Sequence, residues 1–175
     1  QNAVKSGQTA AGLMGEITNG QGQIIIISGH EENPSLQQRA DGFNKEISIS
    51  YPQINNLGIR YAYDDDWVAE KITDEILDKY PNLKGIYITG SGVLGVCKSL
   101  QKANKIKDIK IIANDFINDN IQLLSNGTIN FLIGQDAYTQ GYQSIMLLFY
   151  KLFDNKNPDS KFAYTDIVIK NRFNI

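Results

Sequence analysis

The chain has few of the residues that build disulfide frameworks and metal centres. Its 175 residues include one cysteine, Cys97, one histidine, His30, and four prolines. A single cysteine excludes an intrachain disulfide and a cysteine-based metal site, and a lone thiol is compatible with a reducing compartment. No stretch approaches the roughly 18 apolar residues that a membrane helix needs, so we predict no membrane partner.

An excess of one charge sign is also lacking. Seventeen Lys and Arg side chains oppose nineteen Asp and Glu side chains, which leaves a formal net charge of −2. That balance argues against a surface within this segment that neutralises nucleic-acid phosphates. Hydrophobic residues make up 42% of the chain and charged residues 21%, which is the composition of an ordinary globular domain with a core.

Apolar, β-rich runs alternate with helical segments along the whole chain. The sequence predicts helices at about 7–18, 35–49, 67–80, 92–103, 118–125 and 137–153. It predicts strands at 23–28, 57–63, 85–89, 108–114, 129–134 and 162–170. The four isoleucines at 24–27 are apolar on both faces, as in a buried parallel strand. This alternation predicts an α/β domain with a doubly wound, mainly parallel sheet.

Polar and aromatic residues follow the predicted strands. Doubly wound sheets bind ligands at the carboxyl ends of their strands, where loops and helix N-termini converge. The residues at these ends are His30, Glu31, Glu32, Ser35, Arg39, Tyr63 to Trp67, Thr89 to Ser91 (with Gly90 between them), Asp115, Gln135 and Asp136. Groups that hydrogen-bond hydroxyls beside aromatic faces are typical of a sugar site. The set is poor in nucleophile–base pairs, so we predict a binding protein rather than an enzyme.

A glycine motif supports a different hypothesis. Gly90, Gly92 and Gly95 spell G-x-G-x-x-G after an apolar run, and Asp115 stands twenty residues past Gly95. This is the pattern of a dinucleotide-binding site with its ribose-binding acid. However, two predicted strands precede the motif, and any parallel α/β unit needs small residues where a strand turns into a helix. We therefore expect a tight turn beside another ligand and no cofactor, with an NAD-dependent oxidoreductase as a distant alternative.

Several reactive or charged side chains have simple structural explanations. Cys97 lies inside a predicted helix, so we expect a buried thiol rather than a nucleophile. The side chains at 30–32 are adjacent in the sequence, so they are poorly oriented to bind one metal ion together. We therefore predict no metal site. At least two of the three carboxylates at 64–66 are expected to favour the start of the following helix. Trp67 either stacks on a sugar or packs within the protein.

Two further charged residues lie where a ligand is expected. Arg39 falls four residues after Ser35, the predicted N-cap, so both share one helical face near the helix N-terminus. The alternative for Arg39 is a surface salt bridge. Asp115 ends an apolar strand, where a carboxylate is costly to bury without a partner.

Taken in order, these segments resemble the type I periplasmic binding proteins and the effector-binding domains of LacI-type regulators. The similarity is carried by NAVKSGQTAAGLM, PSLQQRADGF, LKGIYITGSGVLGVCKSL, IKIIANDF and FLIGQDAYTQGYQSIMLLF. These segments run in order over nearly the whole chain. The resemblance implies a two-lobed binder that closes by a hinge on a small molecule, most simply a sugar.

The resemblance also implies roles for particular residues. Arg39, assisted by Ser35, would bind ligand hydroxyls, and Asp115 would accept hydrogen bonds from them. Gln135 would lie at the hinge crossing. Four residues fall where the family has its ligand-binding Asn or its stacking aromatic: Thr89, Gly90, Tyr63 and Trp67. The letters TGSG replace the Asn-Asp of the family pattern at 89–92.

A whole protein of this type has a further amino-terminal lobe. We therefore expect the chain to be a piece of a longer protein, with 1–134 as the carboxy-terminal lobe of the ligand-binding domain. Residues 135–175 would comprise the hinge crossing, a helix belonging to the other lobe, and a returning strand. The apolar face of the helix at 137–153 would be covered by the present lobe, a second copy or a partner.

Two parent proteins fit this resemblance. A LacI-type regulator would be a cytoplasmic homodimer that binds DNA through a segment absent from this chain, with the sugar modulating that binding. A periplasmic sugar-binding protein would deliver its ligand to an ABC transporter. The free thiol in GVCKSL and the GIYITGSG variant favour the regulator, which is our main interpretation. The periplasmic protein is the alternative.

Overall fold

The computed structural model describes all of residues 1–175 and contains one sheet with helices on both faces. The helices are α1 (Ala3–Ile17), α2 (Pro34–Ser50), α3 (Asp66–Lys79), α4 (Val93–Lys102), α5 (Asn118–Ser125) and α6 (Ala137–Phe153). The strands are β1 (Gly22–Ser28), β2 (Ile54–Tyr61), β3 (Leu83–Ile88), β4 (Lys110–Asn114), β5 (Phe131–Gln135) and β6 (Ile167–Lys170). The predicted α/β class is confirmed.

The sheet has the order β2-β1-β3-β4-β5-β6. The first five strands are parallel, and β6 runs antiparallel to β5 at the edge. The chain runs outward from β1 to β2 and then returns past β1 to β3. The topological switch therefore lies between β1 and β3, and the crevice at its carboxyl end is where such sheets bind ligands.

The isoleucines of β1 divide between two hydrophobic clusters. Ile24 and Ile26 pack with α1 and α2, whereas Ile25 and Ile27 pack on the opposite face with residues of α3 and α4. All four side chains are fully buried, and each contributes about 2–3 kcal/mol of hydrophobic stabilisation. The prediction of a strand buried on both faces is confirmed.

The helices on each face approach closely at glycines. A Cβ atom on Gly7 of α1 would overlap the backbone carbonyl of Arg39, and one on Gly42 of α2 would overlap that of Val4. Any larger side chain would push α1 and α2 apart. This close contact fixes α2, and with it the position of the Arg39 side chain.

Several predicted boundaries were wrong. Helix α1 begins at Ala3 rather than at about 7, and β2 covers Ile54–Tyr61 rather than 57–63. Ser35 is not the N-cap of α2; Asn33 is, and its Oδ1 accepts from the N–H of Ser35 at 3.0 Å. Asn at the cap followed by Pro34 at the first helical position explains the earlier start. The last strand covers only Ile167–Lys170 rather than 162–170, because its partner β5 offers only four paired residues.

Helix α6 lies outside the core. It has no buried residue, although its sequence is apolar over much of its surface. Its large exposed side chains are Tyr138, Tyr142, Ile145, Leu148, Phe149, Tyr150, Leu152 and Phe153. Of the three covers predicted for this face, the present lobe does not supply one. None of the six helices combines the length and apolarity needed to traverse a bilayer.

Candidate functional site

An open cleft of about 300 Å³ lies at the carboxyl edge of the sheet. It is formed where β2, β3 and β4 end and α3, α4 and α5 begin. The lining residues are Asp64, Asp66, Gly90, Ser91, Gly92, Val93, Leu94, Asn114, Asp115, Ile117, Asp119 and Asn120. The cleft is therefore polar and acidic, with a few apolar side chains.

A larger depression of about 510 Å³ lies at the opposite, amino-terminal edge, beside Gly22, Lys84 and Lys110. Only one of its eight lining residues is hydrophobic. It lies away from the helix N-termini and from the carboxyl end of the switch point. The carboxyl-edge cleft is the better candidate, because buried polar groups and unusual backbone conformations converge there.

The centre of the cleft is an ion pair between Arg39 and Asp115. Arg39 is only 2% exposed, and its Nη1 lies 3.5 Å from Asp115 Oδ2. The same nitrogen donates to the carbonyl of Thr89 at 2.6 Å, while Asp115 Oδ1 accepts from Gln135 Nε2 at 3.0 Å. The alternative of a surface salt bridge for Arg39 is wrong. The structure instead joins Arg39, Asp115 and Gln135, three of the predicted site residues.

A layer of buried asparagines supports this pair from below. Asn114 Nδ2 donates to Tyr87 Oη at 3.0 Å and to the carbonyl of Ile88 at 3.1 Å. Asn120 Nδ2 donates to the carbonyls of Asn114 and Asp115. Burial raises the pKa of Tyr87 to about 12, so its hydroxyl keeps its proton at neutral pH. The network holds the end of β4 in one conformation.

Backbone strain also concentrates at the cleft. Six residues other than glycine have positive φ, and three of them, Asn19, Asn104 and Asn155, are asparagines, which tolerate it. The others are Tyr63 (φ 55°), Asp64 (φ 59°) and Asp115 (φ 71°). These three follow β2 and β4 at the cleft, and such conformations cluster at ligand sites.

The carboxylates at 64–66 occupy three different backbone amides. Asp65 is the N-cap of α3 and accepts from the N–H of Val68 at 3.0 Å. Asp66 lies in the first turn of α3. The expectation that carboxylates favour this helix start is confirmed for these two. Asp64 instead accepts from the N–H of Ser91, before α4.

The glycine motif turns β3 into α4. Gly92 is the N-cap of α4, with φ 95°, a conformation that favours glycine. A Cβ on Gly95 would overlap the carbonyl of Asp66, so this glycine permits close packing of α3 and α4. The N–H groups of Ser91 and Gly95 each bind an aspartate oxygen at 3.2 Å. Carboxylates therefore occupy two of the amides that a pyrophosphate could bind at this turn.

The two remaining polar residues do not reach the cleft as predicted. Thr89 is fully buried, and its hydroxyl donates to Ser28 Oγ at 2.8 Å. Only its carbonyl, bound to Arg39, takes part in the network. Ser35 is exposed and is not among the lining residues. Gly90, the other residue considered with Thr89, does line the cleft.

The aromatic residues Tyr63 and Trp67 are exposed and flank the cleft-lining residues Asp64 and Asp66 along the chain. Tyr63 is 56% exposed and meets His30 edge-to-face, with ring centroids 5.4 Å apart. Trp67 is 62% exposed, and Lys71 Nζ lies 3.9 Å from the centre of its ring. Of the two alternatives for Trp67, packing within the protein core is wrong.

Neither the cysteine nor the His–Glu cluster contributes chemistry to the cleft. Cys97 is 2% exposed, and burial raises its pKa to about 12, so the prediction of an inert thiol is confirmed. The structure contains no group of three or more His, Cys, Asp or Glu side chains placed to hold a metal ion.

The sequence analysis missed three polar residues of this site, Asn114, Asp119 and Asn120. Asn114 directly precedes Asp115, so a strand that ends in two polar residues could have pointed to it. Asp64 and Asp66 were among the predicted strand-end residues, but their bonds to the N–H groups of Ser91 and Gly95 were not predicted. A sequence pattern does not show that a second helix begins alongside.

A model of the periplasmic binding protein domain matches residues 1–156. The chain belongs to that family. This periplasmic binding protein domain is similar in structure to AraP, an arabinose-binding protein from Geobacillus stearothermophilus, with 25% sequence identity and a TM-score of 0.90. It is also similar to a solute-binding protein of an ABC transporter from Burkholderia graminis, solved in complex with D-arabinose, with 26% identity and a TM-score of 0.92.

A sugar-binding protein of an ABC transporter from Bacillus halodurans shares the fold, with 24% identity and a TM-score of 0.91. Each comparison covers 99% of this chain, but 62%, 61% and 63% of AraP, the Burkholderia protein and the Bacillus protein respectively. The domain therefore spans about three fifths of their length. No curated protein matches the sequence.

Proposed function

We propose that this periplasmic binding protein domain is the carboxy-terminal lobe of a sugar-binding protein that serves an ABC transporter. The observation that carries the proposal is the buried Arg39–Asp115–Gln135 network at the edge of a polar cleft. Three solved relatives are named as sugar- or solute-binding proteins, one with D-arabinose bound, which supports a monosaccharide as the ligand class. The protein binds its ligand without chemical change.

In this proposal Asp115 accepts hydrogen bonds from two or more sugar hydroxyls. Its side chain is 40% exposed, so it faces the ligand while Arg39 behind it compensates its charge. Hydrogen bonds to a charged group contribute about 1.5–3 kcal/mol each. Arg39 positions the carboxylate and supplies a donor when the ligand approaches, and Gly90 lets the ligand approach the backbone. Ser35 has no contact in the structure that supports its assisting role.

Tyr63 and Trp67 supply the apolar part of the proposed site. Sugar rings present patches of C–H groups that pack on aromatic faces. Both rings are more than half exposed, although Lys71 covers one face of Trp67, and in this proposal either ring packs on a sugar bound at Asp115. A face that stays exposed in the isolated lobe is buried when a two-lobed protein closes.

We further propose that 135–175 connect this lobe to a second one, as the division into 1–134 and 135–175 predicts. Gln135 ends β5 and contacts Asp115, and α6 follows immediately with no buried residue. The solved relatives are longer by more than a third of their length. The missing lobe would cover the apolar face of α6, so neither a second copy nor a foreign partner is required.

The transporter protein is now favoured over the LacI-type regulator. The three solved relatives named above are sugar- and solute-binding proteins. The cytoplasmic location, the DNA partner and the homodimer that belong to the regulator have no support among them. We accordingly propose an extracytoplasmic location. The NAD-dependent oxidoreductase is disfavoured because Asp64 and Asp66 place negative charge on two amides of the glycine motif, where a pyrophosphate would have to bind.

The test is a thermal-shift screen of the full-length protein against mono- and disaccharides, with NAD and NADP included. A ligand that binds only the native state raises the melting temperature by mass action. We expect a shift with at least one monosaccharide, which Asp115→Ala abolishes and Asp108→Ala, a distant surface change, retains. A shift with NAD and none with sugars would overturn the proposal.

A further inference from the structure

Two backbone amides beside the cleft are occupied by aspartate side chains. The N–H of Ser91 donates to Asp64 Oδ1 and that of Gly95 to Asp66 Oδ1. Each aspartate thus uses one oxygen internally, while its Oδ2 makes no hydrogen bond within the protein. At these two positions a negatively charged acceptor stands where the backbone would otherwise offer an amide donor.

The side-chain amide donors at the cleft are used in the same way, whereas the buried Arg39 Nε has no hydrogen-bond partner in the protein. Gln135 Nε2 donates to Asp115. Asn120 Nδ2 donates to the backbone carbonyls of Asn114 and Asp115 at 3.1 and 3.0 Å. Asn114 Nδ2 is likewise bonded to two groups beneath the cleft.

Asn120 gives independent evidence for a ligand that donates hydrogen bonds. It lines the cleft and is only 2% exposed, yet its Oδ1 has no hydrogen-bond partner in the protein. A buried acceptor without a partner is costly. Because both hydrogens of its Nδ2 point to carbonyls, the unpartnered atom is the oxygen, and only a donor satisfies it.

The charge of the cleft also favours a ligand that donates hydrogen bonds. Four carboxylates line it, from Asp64, Asp66, Asp115 and Asp119, and no Lys or Arg is among the lining residues. The nearest cation is Arg39, which is buried behind Asp115. The lobe therefore offers acceptors and negative charge together.

We infer that the cleft selects sugars that carry an ammonium group over their neutral parents, and rejects sugar acids and sugar phosphates. This inference rests on the proposed sugar-binding function and names its substrate class. An ammonium group offers three donors and a positive charge to the free oxygens of Asp64 and Asp66. A carboxylate or phosphate offers only acceptors and negative charge, which the cleft already has in excess.

The test is calorimetric titration of the full-length protein with matched sugars at low ionic strength. The probes are glucose, galactose and mannose, the 2-amino-2-deoxy derivative of each, the uronic acids of each and their 6-phosphates. We expect at least one amino sugar to bind about tenfold or more tightly than its parent, which corresponds to about 1.4 kcal/mol. The advantage should shrink as salt is added, because exposed charges are screened.

Two variants assign the preference to the cleft. Asp64→Asn and Asp66→Asn remove a charge while keeping an oxygen that accepts from the N–H of Ser91 or Gly95. Each should reduce the ratio of amino-sugar to neutral-sugar affinity about threefold or more. Asp78→Asn, at the far end of α3 and exposed, removes the same charge outside the cleft and should leave the ratio unchanged.

The outcomes separate this inference from the proposed function. Equal binding of a neutral sugar and its amino derivative, or of a sugar and its uronic acid, overturns the inference and leaves the sugar-binding function intact. An affinity ratio that falls equally in Asp78→Asn also overturns it. Binding of none of these sugars overturns both. The ratio in the wild-type protein needs no variant, so a variant that fails to fold does not prevent the decision.

Discussion

The Arg39–Asp115 pair is expected to stabilise the fold as well as the cleft, and the change Arg39→Met measures that contribution. Methionine keeps the aliphatic volume of Arg39 in α2 but leaves the Thr89 carbonyl without its donor at 2.6 Å. It also removes the cation 3.5 Å from Asp115. Removing one partner of a fully buried ion pair costs about 3–5 kcal/mol. Asp115 is 40% exposed and keeps Gln135, so we expect a smaller loss, about 2–3 kcal/mol.

Urea unfolding followed by circular dichroism gives the free energy of unfolding for Arg39→Met, Asp115→Asn and the double variant. Asp115→Asn should cost less than Arg39→Met, because Arg39 then still binds the Thr89 carbonyl. The double variant should cost less than the sum of the two, since contacting residues are coupled. Additive losses, or a loss below about 0.5 kcal/mol for Arg39→Met, would refute the assignment of Arg39 to a buried supporting position.

Three further predictions concern the packing of α3 on α4, the buried thiol of Cys97 and the exposed face of α6. Gly95→Val should lower the melting temperature by several degrees, since any Cβ at this position meets the Asp66 carbonyl. The control is Gly12→Ala, because Gly12 has open space around it. An equal fall in melting temperature in both variants would contradict the packing argument. The Cys97 thiol has a pKa of about 12 in the folded state but loses its proton near pH 9 when the chain is unfolded. The free energy of unfolding should therefore fall between about pH 9 and 12, and it should fall less steeply with pH in Cys97→Ala. The same steepness in the variant would contradict this prediction. In the full-length protein Ile145→Ser should cost about 2 kcal/mol if the second lobe covers α6, whereas Ile49→Ser, which is similarly exposed here, should cost little in the same unfolding assay; equal costs would show that α6 is solvated.

The sheet was predictable because its strands are buried on both faces. The run of isoleucines in β1 has no polar face, and only helices on both sides of the sheet satisfy such a strand. The prediction failed at the chain ends of the elements, where capping decides. Pro34 takes the first helical position and Asn33 caps the helix. These two residues set the start of α2, and Ser35, the predicted cap, therefore lies inside the helix.

The Arg39, Asp115 and Gln135 side chains of the site were predictable from the sequence, and the polar residues around them were not. Asp115 ends an apolar strand, so a partner was required, and Arg39 and Gln135 supply it. The orientation of Thr89 follows from the period of two in β3. Tyr87 packs toward α2 whereas Ile86 and Ile88 pack toward α4, and Thr89 continues the Tyr87 side, beneath the cleft. Asn120 and the bond between Asp64 and the N–H of Ser91 were not predicted, because their partners come from other elements, which no local pattern reveals.

The most direct test of the account is a crystal structure of the full-length protein with the sugar that the screen selects. The account predicts a sugar at the carboxyl edge of the sheet, with hydroxyl oxygens about 2.6–3.0 Å from the carboxylate of Asp115 and α6 packed on a second lobe. A ligand bound instead at the amino-terminal depression beside Lys84 and Lys110, with the Asp115 carboxylate free of contacts, would contradict it.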